Sequence, residues 1–348
     1  MKSSPFLVVF FISIPLNLTT SVTAHLALLT DQCIMNNNSN MNTSDFSLPP
    51  RTWVPNGLVP AVLLSFCFLL GVPGNIAVIL LKPNWQNMSR LSQSLMLNLA
   101  IFDLLCLLTL PLWIYALLKA WIFGLETCKL LGFLVYCSLY GSLLTVTVLG
   151  VQRYIVVVNQ RRCVQVQKRH LLVPIWFGAM ILSISALVTE QVETKGQWTY
   201  CYPQFSSRAQ GLAVLLSETT SGFVSFFVVA YSYIRLHRKI RQATFFNNPR
   251  TTRLLTSIIV SNFVLWSPLH TVNVLALGAI CFKNNSLLES CVNIWDIVKA
   301  IAFLNNCINP LLYAFNFHKM CRVCSQEELT QPSQTLDIST VAETMIIN

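Results

Sequence analysis

The fold class this sequence predicts is an all-α membrane protein, a seven-transmembrane helix bundle with a short cytoplasmic amphipathic helix. Three observations carry that prediction. Apolar runs of about 20 residues, the length a helix needs to cross the ~30 Å hydrocarbon layer, recur along the chain. Hydrophobic residues make up 54% and charged residues only 10% of the 348 positions, against roughly 25% charged in soluble domains. Lys and Arg also gather at alternate ends of the runs, as they do at a cytoplasmic face.

The runs place spans at 57–81, 93–118, 128–158, 169–189, 210–236, 252–280 and 294–316. The third organises the rest. No charge falls between Lys129 and Arg153, and at ~1.5 Å per residue the stretch from Cys128 to Tyr154 covers roughly 38 Å, so its ends reach opposite interfaces. The turns after spans one, three and five hold Lys82 and Arg90, then Arg161, Arg162, Lys168 and Arg169, then Arg238, Lys239, Arg241 and Arg250. The opposite connections carry Lys119, Lys195, Arg208 and Lys283, diluted by Glu126, Glu190, Glu193 and Glu289. The first set is therefore cytoplasmic and the N-terminus extracellular.

Before the first span, Lys2, the apolar run Phe6–Ile14 and the small-residue pattern Val22-Thr23-Ala24 read as a signal peptide over 1–24, a retained hydrophobic tail being the alternative. Residues 25–56 read as an extracellular tail with glycosylation acceptors at Asn37 and Asn42. Residues 57–316 form the membrane domain and 317–348 a cytoplasmic tail. That tail opens with FHKMCRVC, an interfacial helix with Phe317 toward lipid and Lys319 and Arg322 toward headgroups. Cys321 and Cys324 sit where S-palmitoylation would hold it down, reduced thiols being the alternative.

The net charge of +10 does not indicate nucleic acid, because the basic residues flank apolar runs rather than one polar domain. An enzyme would need a catalytic constellation. The five histidines form no His-Glu-x-x-His pair, and there is no Gly-x-Ser-x-Gly elbow. No repeat relates the two halves, which speaks against inverted-repeat transporters.

An ionisable side chain at mid-span is costly enough to mark function. Asp103 is one, and Asn75, Ser142, Asn305 and Asn309 are placed to converge on it. A carboxylate among neutral oxygens suits a sodium ion; a protonated or water-bonded carboxyl serving only helix packing is the other reading.

Gly74-Asn75, Leu99-Ala100-Ile101-Phe102-Asp103, Cys128, Arg153-Tyr154, Trp176, Trp266-Ser267-Pro268 and Asn309-Pro310-Leu311-Leu312-Tyr313 follow in order, each in its own span. The chain resembles the rhodopsin-like (class A) G-protein-coupled receptors over roughly residues 55–325. The resemblance implies a plasma-membrane receptor and a Cys128–Cys201 disulfide across the outer mouth. It implies an activation switch at Trp266, Pro268, Pro310 and Tyr313, where the prolines open the preceding turns. It also implies coupling through Arg153, Tyr154 and Tyr233 to a heterotrimeric G protein of the inhibitory class, with arrestin and receptor kinases on the tail. Partner and acidic lipids would meet the basic turns. Cys33, Cys281 and Cys291 leave several outer pairings open. Gln152 stands where the family usually carries an acid beside Arg153, which predicts raised ligand-free signalling.

Within the family, SETTSGF in span five and WSPLHTVNVLALG in span six resemble the leukotriene B4 receptors, and the whole core resembles the wider chemoattractant group. The implied ligand is a chemoattractant lipid; a chemokine or other peptide, or a weakly coupled orphan receptor, is the alternative. Tyr136, Tyr140, Glu218, His270 and Asn273 are the candidate donors and acceptors. Lys299, Arg208 and Lys129 are candidate anchors for a carboxylate, and Lys299 is equally placed to pair with Asp296 one turn earlier. Only Asp31 and Asp45 are acidic before Trp53, which favours lipid over chemokine.

Overall fold

The computed structural model describes residues 57–81, 89–158, 169–242 and 249–330. Among them are seven helices and one hairpin: α1 Leu58–Leu81, α2 Arg90–Leu118, α3 Gly124–Val158, α4 Arg169–Thr189, β1 Glu190–Lys195, β2 Trp198–Pro203, α5 Arg208–Gln242, α6 Pro249–Cys281 and α7 Asn285–Thr330. Six of the helices are long and apolar enough to span a bilayer. The seventh carries Asn293, Asp296, Lys299, Asn305, Asn306 and Asn309, so it is a span by position in the bundle rather than by hydropathy. The expected signal peptide, outer tail, glycosylation acceptors Asn37 and Asn42, and the tail beyond Thr330 lie outside the described residues.

The α4 face Val173, Phe177, Ile181, Ile184 and Val188 is exposed at helical spacing. A contiguous apolar stripe of that kind is anomalous in water and natural against lipid. The spindle reading of α3 holds. Its most apolar window is 61% buried, against 22–44% in the other five, and it packs against α2, α4, α5, α6 and both strands. α7 closes the bundle by packing on α6, α1 and α2. Deep in the membrane a backbone must be satisfied within its own element; Pro73, Pro111, Pro174, Pro268 and Pro310 lie inside helices, while α3 and α5 contain none.

Polar groups stitch the inner layers. Trp176 Nε1 donates to Asn98 Oδ1 at 2.9 Å and Asn98 Nδ2 to Thr145 Oγ1 at 2.8 Å, joining α4, α2 and α3. At the outer end, the antiparallel β1–β2 hairpin pairs Val192 with Cys201 and turns through Gly196 at φ 63°, a conformation glycine adopts without steric cost. Trp121 N–H donates to Thr199 O at 2.7 Å, and Cys128 is disulfide-bonded to Cys201, so the hairpin is fixed to α3 across the bundle mouth.

Two sequence expectations change here. Cys291 is a buried free thiol while Cys281 is disulfide-bonded, which removes the Cys281–Cys291 pairing; the partner of Cys281 lies outside the described residues. The segment expected as a separate interfacial helix is helical as far as Thr330, but in one element with α7. No Gly or Pro falls between Pro310 and Thr330 to break it.

Candidate ligand cavity and coupling face

A cavity of about 790 Å³ opens beneath the hairpin, within the size range of small-molecule sites. All six residues singled out as ligand contacts line it: Tyr136 and Tyr140 on α3, Glu218 on α5, His270 and Asn273 on α6, and Lys299 on α7. Lys129 is not part of the lining, and the side chain of Arg208 lies outside the described residues. The lining contributed by α1, α2 and α7 includes the apolar residues Leu58, Leu64, Leu110, Leu117 and Phe303. Trp266 lies on the wall further in.

The polar side is a connected array. Tyr136 donates its hydroxyl to Glu218, Asn273 Nδ2 donates to Glu218 Oε2 at 3.1 Å, and Trp295 Nε1 donates to Asn273 Oδ1 at 2.8 Å. Two donors on one carboxylate reduce the cost of burying it. Lys299 Nζ sits 5.5 Å from the centre of the Trp295 ring, a cation–π distance. The His270 ring lies 5.7 Å from that of Trp266 and fits because position 222 is glycine, where a β-carbon would run into the imidazole. Glu190, Trp113 and Trp295 are not marked as site residues by any signal in the sequence. Glu190 reads there as one more outer-loop acid, and the two tryptophans carry no pattern that separates them from packing residues.

Among the described residues, three polar atoms facing the cavity have no protein partner: Trp113 Nε1, Trp266 Nε1 and His270 Nδ1. The Tyr140 hydroxyl lies in hydrogen-bonding reach of Ser217 and Ser221 on α5, whose own hydroxyls donate to carbonyls of their helix. Buried polar groups are normally paired, so three such atoms on one cavity mark a surface built for a polar ligand.

Deeper in the bundle, Asp103 is fully buried and accepts from Ser142 Oγ at 2.9 Å and Asn309 Nδ2 at 2.7 Å. The expected convergence is partial. Asn75 Nδ2 bonds instead to Gly71 O and Asn306 O, each at 2.9 Å, and the Asn305 amide has no hydrogen bond. The donor set still fits a sodium ion, as the residue types in the sequence suggest. Asn309, which donates to Asp103, keeps a buried and unpartnered Oδ1, and the amide oxygens of Asn75 and Asn305 are likewise buried and unpartnered.

Residues 74–313 match the family model described as 7 transmembrane receptor (rhodopsin family). The chain belongs to that family. Human leukotriene B4 receptor 1 is 30% identical to this receptor over 297 residues, covering 79% of this chain and 81% of that protein. The dog C5a anaphylatoxin chemotactic receptor 1 is 26% identical over 319 residues, 84% of this chain and 88% of that one. Mouse C-C chemokine receptor type 8 is 25% identical over 268 residues, 73% and 75%. These relatives are receptors, and the chain is a receptor rather than an enzyme.

At the end of the bundle opposite the hairpin, Gln152 is buried and committed to α2. Its Oε1 accepts from Ser92 Oγ at 3.2 Å and its Nε2 donates to Ser89 Oγ at 3.0 Å. Ser89 in turn caps α2 by accepting from Ser92 N–H at 3.2 Å. Tyr154 packs near Tyr231 with ring centres 6.1 Å apart. The side chains of Arg153, Tyr233, Tyr313, Cys321 and Cys324 lie outside the described residues. Trp266 and Pro268, expected as a switch pair, sit in α6 at the level of the cavity, which Trp266 lines, and Pro310 in α7 meets α1 at Gly74.

Proposed function

We propose that this chain is a plasma-membrane chemoattractant receptor, with its N-terminus outside, that binds an amphiphilic ligand in the outer cavity and passes the signal to a heterotrimeric G protein of the inhibitory class. The observation that carries the ligand reading is the cavity itself: apolar walls from α1, α2 and α7 for a ligand's body, with the Tyr136–Glu218–Asn273 array, Tyr140 and the unpartnered His270 Nδ1 for its polar head. Ligand pressed against Trp266 shifts an existing equilibrium toward an open cytoplasmic side, with α6 hinging at Pro268. Sodium held at Asp103 favours the resting state. Arrestin and receptor kinases act on the tail, and basic turns meet the G protein and acidic lipid. The disulfide at the outer mouth and the Lys/Arg distribution support the orientation.

Leukotriene B4 is the first candidate ligand, because a leukotriene B4 receptor is among the relatives of 30% identity and the array suits hydroxyl groups. A chemoattractant peptide is the second reading. It is favoured by the wall charges, where Glu190, Glu218 and Asp296 face a single ammonium, Lys299, among the described lining residues. G-protein activation in cells expressing the chain tests both, with leukotriene B4 titrated against chemoattractant peptides. A saturable lipid response, lost in Glu218→Ala or His270→Ala at unchanged surface expression, supports the first. A response to peptides alone moves the ligand to the second. High activity without any agonist response sinks both ligand readings and leaves an orphan receptor.

A further inference from the structure

We propose that Gly222 and His270 form a latch that holds α5 and α6 at their resting spacing, and that an agonist opens it by offering the imidazole a hydroxyl group. What opens the latch rests on the outer cavity being the agonist site; the latch does not. Three rungs join the two helices along one face. Glu218, Gly222 and Phe226 recur every four residues on α5, and they meet Asn273, His270 and Phe263 of α6 in the reverse order that an antiparallel pair requires. The outer rung is a hydrogen bond, Asn273 Nδ2 to Glu218 Oε2 at 3.1 Å, and the inner one a ring contact, Phe226 to Phe263 with centres 4.1 Å apart. The middle rung is shape alone. The imidazole enters a notch left by the buried Gly222, with Cε1 nearest to where a β-carbon would stand and both ring nitrogens next. Any β-carbon there would displace the ring, and a packed interior gives way only at a cost.

The notch fits the ring and leaves its polarity unspent. His270 lines the cavity, yet its Nδ1 is buried and has no protein partner, whereas buried polar groups are normally paired. A hydroxyl is donor and acceptor at once and suits either imidazole tautomer. A ligand that places one there binds the unseated ring better than the seated one, which is the differential affinity a population shift needs. The displaced ring has a defined target. Its centre lies 5.7 Å from that of Trp266, one turn away, with the two planes 23° apart, and 6.2 Å from that of Phe223. Leaving the notch therefore moves the imidazole against the indole that lines the cavity beside it. Gly222 acts as a positioning residue: it touches no ligand and sets where His270 rests.

The test measures ligand-free nucleotide exchange on purified G protein, with full-length receptor in vesicles at matched amounts. Gly222→Ala fills the notch and His270→Ala removes what sits in it. Each is expected to raise exchange about fivefold, the scale of coupling between residues in contact. The double variant Gly222→Ala/His270→Ala, in which nothing overlaps, is expected to match the single variants rather than exceed them. Exchange unchanged or lowered in His270→Ala overturns the latch. So does a rise in Gly222→Ala that the double variant cancels, because the glycine would then serve packing alone. Should Gly222→Ala not reach the membrane, His270→Ala and the double variant decide the outcome. Leukotriene B4 and N-formyl-Met-Leu-Phe are the probes for release. Whichever activates the unsubstituted receptor is expected to add little above the raised floor of Gly222→Ala; a full increment there overturns release through His270. A response that survives Glu218→Ala unchanged sinks the cavity reading instead, and so does the absence of any response, while the ligand-free result still decides the latch.

Discussion

Glu218 is a carboxylate held among three helices by Tyr136 of α3 and Asn273 of α6, and hydrogen bonds to a charged group are worth roughly 1.5–3 kcal/mol each. Glu218→Gln keeps the shape and removes the charge. It is expected to weaken agonist potency about tenfold, roughly 1.4 kcal/mol, in a G-protein dose response at matched surface expression; unchanged potency would remove Glu218 from the site. Gly132 gives a steric version of the same question. Gly132→Val pushes a side chain into Glu190, and we expect potency to drop about tenfold by the same energetic scale while surface expression persists. The six cavity residues chosen from sequence were legible because each is polar or aromatic at the outer depth of a predicted span. Glu190 was not, because a carboxylate at the end of α4 is indistinguishable in sequence from a solvated loop acid. Its burial follows from a hairpin that folds back over α3.

At the scale of elements, α3 and the hairpin form one unit, joined by Cys128–Cys201 and by Trp121 N–H to Thr199 O. The second disulfide, at Cys281, is expected to join Cys33, since the other cysteines whose side chains lie outside the described residues, Cys163, Cys321 and Cys324, fall in predicted cytoplasmic segments. Peptide mapping under non-reducing conditions should recover a Cys33–Cys281 peptide that reduction splits; recovery of an alkylated, unpaired Cys33 peptide would refute it. The cytoplasmic end is stitched differently. Sequence reasoning saw that Gln152 replaces an acid, but its partners, Ser89 and Ser92, come from another helix, and no spacing rule reveals them. An uncharged amide spent on α2 leaves Arg153 without a neighbouring carboxylate at position 152. Gln152→Asp is therefore expected to lower ligand-free nucleotide exchange severalfold, measured on receptor in vesicles with purified G protein; no change would show that position 152 does not set basal output.

For the whole molecule, the Asp103 carboxylate ties α2 to α3 and α7 through Ser142 and Asn309, and we expect coupling between the cavity and the cytoplasmic side to depend on that junction. If sodium joins that junction, raising NaCl at constant ionic strength should suppress ligand-free exchange, and Asp103→Asn should abolish the suppression. A salt effect equal in both chains would exclude the site. The number of spans, the central place of α3 and the polar residues at mid-span were written in the sequence, because lipid forces each span to be locally helical and apolar. The junction at Asp103 was legible only in outline: the sequence named five polar residues, and packing decided that Ser142 and Asn309 reach the carboxylate while Asn75 turns to the backbone of α7. The same division holds at the outer end. Span position marks which residues lie near the mouth, but Glu190, Glu218, Asp296 and Lys299 line one cavity only because the hairpin, α5 and α7 come together around it. Charges from segments more than a hundred residues apart meet by tertiary folding alone, since periodicity along one helix carries no information about what faces it across a cavity.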